Sequence, residues 1–71
     1  MVNRLMRWDR QRATGGWHLY AESGELIGRV RSLPGDCFEA RLEPDFGGKR
    51  VAGTDLDAVR DWMIAEARRW T

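Results

Sequence analysis

Cysteine is nearly absent from this sequence, because Cys37 is the only one among 71 residues. One thiol cannot form an intrachain disulfide, and a zinc site built from several thiolates is excluded. A lone free thiol fits a reducing compartment better than an oxidising one. The cysteine content therefore predicts a cytoplasmic protein.

Long apolar runs are also absent. No segment approaches the roughly 18 apolar residues of a membrane span. The arginines near the N-terminus are not followed by the apolar stretch of a signal peptide. We therefore expect no contact with a membrane, and again the cytoplasm as the location.

Groups able to perform catalysis are few. His18 is the single histidine, and a nucleophile–base pair with Cys37 would need contact within about 3 Å and a third group to orient the base. No metal-ligand spacing occurs, and Gly47-Gly48-Lys49 lacks the rest of a phosphate-binding loop. The sequence predicts no catalytic residue, no metal site and no cofactor, and hence no enzyme.

Tryptophan and arginine, in contrast, are abundant. Four tryptophans and eleven arginines accompany a single lysine, and the net charge is +1. A chain this short buries only about 60% of its unfolded surface, and each tryptophan can bury about 150–250 Å². We expect one domain over residues 1–71. Formation of a homodimer would add buried surface to its small core.

Alternation of apolar and polar residues predicts the strands. Residues 17–22, 25–33 and 37–43 alternate, residues 49–52 fit a short edge strand, and residues 1–12 fit either a strand or a loosely held basic arm. Leu33-Pro34-Gly35-Asp36 is typical of a tight turn. The pattern predicts an α+β fold with an antiparallel sheet of three or four strands.

One amphipathic helix is predicted at the C-terminal end. Thr54 is a suitable N-cap residue, and Asp57 follows it at the spacing of a capping box. The apolar residues recur at helical spacing, in one stripe of Leu56, Val59, Met63, Ala67 and Trp70. We expect this stripe to pack on one face of the sheet.

The face of the sheet away from the helix, here called the outer face, is the candidate binding surface. Alternation directs toward the helix Trp17, Leu19, Leu26, Val30, Phe38, Ala40 and Leu42. It places on the outer face His18, Tyr20, Ile27, Arg29, Arg31, Glu39 and Arg41. An aromatic ring among arginines suits nucleic-acid binding. The alternative is a solvated face on which Arg29 or Arg31 pairs with Glu39 across strands.

A resemblance to a known family bears on this choice. The residues that carry it are Cys37-Phe38-Glu39-Ala40-Arg41-Leu42, Gly48-Lys49-Arg50, Gly53-Thr54 and residues 58–62. They resemble the arm-type DNA-binding domains of phage integrases, and the plant-type DNA-binding domains of the same sheet-plus-helix shape, over residues 17–70. The resemblance implies that the sheet enters the major groove and that the contacts come from Arg29, Arg31, Arg41, Lys49 and Arg50. Glu39, Glu43 and Asp45 depart from the family, which is usually basic or neutral there.

In size and style the chain is also similar to small accessory proteins of phages and mobile elements, many of which block a host protein, as anti-CRISPR proteins do. Trp8 or Trp70, if partly exposed beside arginines, would suit protein recognition, whereas packing in the core or at a terminus is the alternative. We therefore expect a non-catalytic module that binds a protein partner, with DNA or RNA as the alternative partner. The expected binding residues are His18, Tyr20, Arg29, Arg31, Arg41, Lys49 and Arg50.

Overall fold

Each strand of the sheet pairs with the next strand along the sequence. The computed structural model describes residues 6–70. The strands are β1 (Met6–Gln11), β2 (Gly16–Ala21), β3 (Leu26–Leu33), β4 (Cys37–Leu42) and β5 (Arg50–Gly53). They form an antiparallel sheet in the order β1-β2-β3-β4-β5. A 3-10 turn (Pro44–Phe46) precedes β5, and one helix, α1 (Leu56–Arg68), follows it.

The α+β class with one C-terminal helix is confirmed, while the expected number of three or four strands is too low. Residues 6–11 pair along their whole length with residues 16–21, so β1 is a full strand of the sheet. Residues 50–53 pair with β4 and add the fifth strand. Residues 1–5 of the expected N-terminal arm lie outside the described residues.

The turn between β3 and β4 forms where the sequence predicts it. Gly35 has φ 81°, and Asp36, with φ 56°, is the only other residue there in the left-handed region. Glycine adopts a positive φ without steric penalty, and aspartate tolerates it better than most residues do. This turn fixes the register in which Leu33 lies opposite Cys37.

A β-bulge in β3 changes the direction of two apolar side chains. Leu19 pairs with Gly28, but the next residue, Tyr20, pairs with Leu26, so Ile27 is an extra residue in β3. Ile27 is fully buried in the core. The expectation that Leu26 points to the helix and Ile27 to the outer face is therefore wrong, because an extra residue interrupts strict alternation.

The core lies between the sheet and α1, which packs over β3, β4 and β5. Its buried side chains are Leu19, Ile27, Val30, Ala40, Leu42, Phe46, Val59, Met63 and Ala67. The helical stripe is confirmed at Val59, Met63 and Ala67, but Trp70 lies beyond the end of α1 and is 57% exposed. The methyl group of Met63 sits over Gly28, where the absence of a side chain makes room for it.

Three arginines stack on aromatic rings and hold β1 in place on both faces of the sheet. The distances from guanidinium carbon to ring centre are 4.7 Å for Arg60 over Trp8, 5.3 Å for Arg10 over Trp17 and 5.4 Å for Arg7 over Tyr20. Such contacts stabilise by about 0.5–1 kcal/mol each at exposed sites. They add to the backbone pairing with β2 that holds β1 in the sheet.

Asp55, and not Thr54, caps the helix. The Asp55 carboxylate accepts hydrogen bonds from the backbone N–H groups of Asp57 at 3.0 Å and Ala58 at 3.3 Å. These groups have no partner within the first turn of a helix, and the carboxylate also faces the positive end of the helix dipole. The expected Thr54 cap is wrong by one residue.

We predict that Gly28→Ala lowers the free energy of unfolding by about 1–3 kcal/mol, the range for overpacked cores. A Cβ at Gly28 would lie 2.5 Å from the carbonyl oxygen of Arg41 and 3.2 Å from Cε of Met63. Gly53→Ala is the matched control, because its Cβ would meet Val59 at an ordinary 3.5 Å. Urea denaturation of both variants makes the comparison, and equal stability of the two would contradict the assigned packing.

We predict that Asp55→Ala destabilises the chain by about 0.5–2 kcal/mol, the usual loss for a helix cap. Thr54→Ala should change stability by less than about 0.5 kcal/mol, since the cap bonds come from Asp55. Thermal and urea denaturation measure both. A larger loss of stability in Thr54→Ala than in Asp55→Ala would show that Thr54 is the N-cap residue, as the sequence predicts.

Candidate functional site

The outer face collects six of the seven expected binding residues. Residues directly opposite each other in an antiparallel sheet share a face. The register therefore joins the side chains of His18, Tyr20, Arg29, Arg31, Arg41 and Arg50 on the side away from α1. The seventh, Lys49, is directed to the helix, where its Nζ lies 3.4 Å from Oε2 of Glu66.

Three arginines form a row across neighbouring strands, which we call the arginine row. Arg29 of β3 lies opposite Arg41 of β4, and Arg41 lies opposite Arg50 of β5. His18 extends the row to β2, because it pairs with Arg29. Opposite residues have Cβ atoms about 4.5–5.5 Å apart, so guanidinium groups in this row can converge on one anionic group.

The arginines of the outer face differ in their acidic partners. Nη2 of Arg29 lies 3.1 Å from Oε1 of Glu43, and Nε of Arg31 lies 2.9 Å from Oε1 of Glu39. The expected cross-strand pair with Glu39 is thus present for Arg31. Within residues 6–70, Arg41 and Arg50 make no ion pair.

A partly enclosed groove of about 270 Å³ lies over this part of the face. Its charged lining consists of Arg29, Arg31, Arg41 and Arg50 against one carboxylate, that of Glu39. The lining thus has a formal excess of three positive charges. An anionic group is the chemistry that this groove favours, since a guanidinium fork binds carboxylate or phosphate oxygens in bidentate fashion.

Tyr20 is already engaged by its neighbours. Its hydroxyl oxygen lies 3.2 Å from Nδ1 of His18, and the guanidinium of Arg7 stacks over its ring at 5.4 Å. A base that stacked on this ring would have to compete with Arg7 for that face. The one aromatic side chain expected to serve as a stacking platform is therefore poorly placed for it.

The conceivable Cys37–His18 pair does not form. His18 lies level with Arg29 and Arg41 across the sheet, whereas Cys37 precedes Arg41 by four residues in β4, a distance of about 13 Å at the rise of a strand. Three metal-binding side chains do not cluster anywhere in the described part of the chain. In that same part, no helix has the length and apolar character to cross a bilayer.

The sequence interpretation missed the contribution of β1 to this face. Arg7 and Asp9 lie opposite Tyr20 and His18, and so they border the expected binding residues. The alternation of Met6, Arg7, Trp8 and Asp9 is the signal that could have revealed it. Glu43 was also missed as the partner of Arg29, because it lies just beyond the end of β4.

We predict that Arg50→Glu raises the free energy of unfolding by about 0.5–1 kcal/mol, because it replaces a repulsive pair with Arg41 by an attractive one. Arg31→Glu is the matched control with the opposite sign, since it would set two carboxylates against each other at Glu39. Urea denaturation at low salt measures both, and both effects should shrink near 1 M salt. Destabilisation by Arg50→Glu would show that Arg50 has a stabilising partner.

Comparison with known proteins supplies no relative for this site. No protein-family model, curated protein or solved structure matches the chain. The resemblance of residues 17–70 to integrase arm-type domains therefore stays a prediction from the sequence. The arginine row has to be interpreted from its own geometry.

Proposed function

We propose that this protein is a non-catalytic interaction module that binds an acidic surface of a partner protein through its outer face. One observation carries the proposal: Arg41 and Arg50 lie directly opposite each other, without an acidic partner among the described residues. Like charges in this arrangement destabilise a sheet. A bound anion removes that repulsion, so the arrangement is suited to binding.

Carboxylates of a partner protein fit this face better than the phosphates of a nucleic acid. Glu39 and Glu43 alternate with the arginines and would repel a continuous phosphate backbone. The ring of Tyr20 is occupied by Arg7. Complementary patterns of both signs are, in contrast, usual between proteins and give specificity.

A DNA- or RNA-binding module remains the second candidate because of one specific observation. The arginine row places three guanidinium groups on adjacent strands of one face, and such groups also bind phosphates or base edges. The two candidates differ in their response to salt, since release of counterions makes affinity for nucleic acid fall steeply as salt rises.

The mechanism we propose is occupancy of a surface. The groove is partly enclosed and lined by long arginine side chains, so it suits acidic side chains that project from the surface of a partner. A small chain that acts only by docking can block the access of other ligands. Inhibition of a host protein, as phage and mobile-element accessory proteins carry out, is the biological role that we favour.

We predict that a hexaglutamate peptide, used as the carboxylate probe, binds weakly to the outer face. In two-dimensional NMR the peptide should shift the backbone amides of β3, β4 and β5 around the arginine row. Arg41→Ala combined with Arg50→Ala should weaken binding at least about tenfold, because two charge-assisted contacts of about 1.5–3 kcal/mol each are lost. Arg68→Ala, compared with Arg41→Ala and Arg50→Ala each alone, is the control, since it removes one positive charge from an exposed position on the helix.

A parallel titration with duplex DNA and single-stranded RNA separates the two candidates. Binding of nucleic acid more tightly than of the peptide, with a steep salt dependence and the same loss in the double variant, would favour the second candidate. Two results would overturn the assignment of the outer face. One is that the peptide shifts the amide signals of the helix instead, and the other is that Arg68→Ala weakens peptide binding as much as the arginine-row variants do.

A further inference from the structure

The outer edge of β1 is the longer of the two open edges of the sheet. Within the described residues, β1 pairs with β2 alone, and its six residues leave one side of the backbone without a partner strand. At the opposite edge, β5 has four residues, and short edge strands are one way in which proteins avoid pairing with another chain. The edge of β1 lacks this protection.

The side chains of β1 are complementary to themselves in one register. In an antiparallel pair, directly opposed residues share a face. If Trp8 lies opposite Trp8 of a second copy, Arg7 of each copy lies opposite Asp9 of the other. Two ion pairs then form on the outer face, where Arg7 and Asp9 both lie.

The neighbouring registers are unfavourable. The neighbouring registers that keep each side chain on its face are centred one residue before or after Trp8. The register centred on Asp9 places Asp9 opposite Asp9 of the second copy, and the register centred on Arg7 places Arg7 opposite Arg7. Like charges directly opposite each other destabilise a strand pair. The sequence of β1 therefore favours the register centred on Trp8 over the two neighbouring registers that keep each side chain on its face.

The helix-side face of β1 supports the same register. Trp8 is half-buried and is covered by Arg60 of α1 at 4.7 Å. In the selected register, two such tryptophans meet at the symmetry axis, and aromatic cross-strand pairs are among the most stabilising. Met6 of each copy would lie opposite the aliphatic stem of Arg10 of the other.

We propose that two copies of this chain associate through antiparallel pairing of β1 with β1, centred on Trp8, and so form one continuous sheet of ten strands. The interface is self-complementary, as two-fold symmetry requires. It is independent of the arginine row. The charged residues that border it are Arg7 and Asp9 on the outer face and Arg10 and Arg60 on the helix side.

Charge reversal at the two complementary positions tests this interface. Sedimentation equilibrium of the purified chain at low salt should show a monomer–dimer equilibrium. Arg7→Asp and Asp9→Arg, each alone, should raise the dimer dissociation constant at least about tenfold, because each turns two attractive pairs into two repulsive ones. An equimolar mixture of the two variants should form heterodimers, since every Arg–Asp pair is then restored.

Arg68→Asp is the matched control for Arg7→Asp, because it makes the same change of charge at an exposed position in the last turn of α1 and should leave the dimer unchanged. Circular dichroism confirms that each variant is folded. A wild-type chain that stays monomeric at millimolar concentration would overturn the proposal. So would a dimer that both single variants leave intact, or a mixture of the two variants that fails to recover association.

Discussion

The packing of α1 on one face of the sheet, with Met63 over Gly28, leaves the other face available for binding. One helix can cover one face of this small sheet, and the methyl group of Met63 reaches β3 because Gly28 has no side chain. The bulge beside Gly28 adds Ile27 to the same side. With the apolar side chains thus directed to α1, the arginines of β3 and β4 have to face solvent.

The outer face combines charges that stabilise the fold with charges that do not. Arg29 and Arg31 have carboxylate partners, although pairs this exposed contribute only about 0–1 kcal/mol. Arg41 and Arg50 lie directly opposite each other across β4 and β5, an arrangement in which like charges destabilise a sheet. An unpaired charge that destabilises the fold indicates a binding role better than a paired charge does, because the stability of the fold does not explain its presence.

Local periodicity predicted most of the fold, and tertiary contacts decided the remainder. Val59 and Met63 were assigned to the core from helical spacing, and Arg29 and Arg41 to the outer face from alternation. The bulge at Ile27 escaped prediction because an extra residue has no signature in a period of two. Likewise, the ion pair of Lys49 with the helix depends on how α1 crosses the sheet, which no local pattern specifies.

The two proposed surfaces would reinforce each other in the ten-stranded sheet. Pairing through β1 places both outer faces on the same side, since opposed residues share a face. Five strand intervals of about 4.8 Å would then separate Arg29 of one copy from Arg29 of the other, a distance of roughly 25 Å. A partner with two acidic patches at this separation would engage both arginine rows at once, and the second contact would form at a high effective concentration. Weak binding by a single row is therefore compatible with tight binding by the pair.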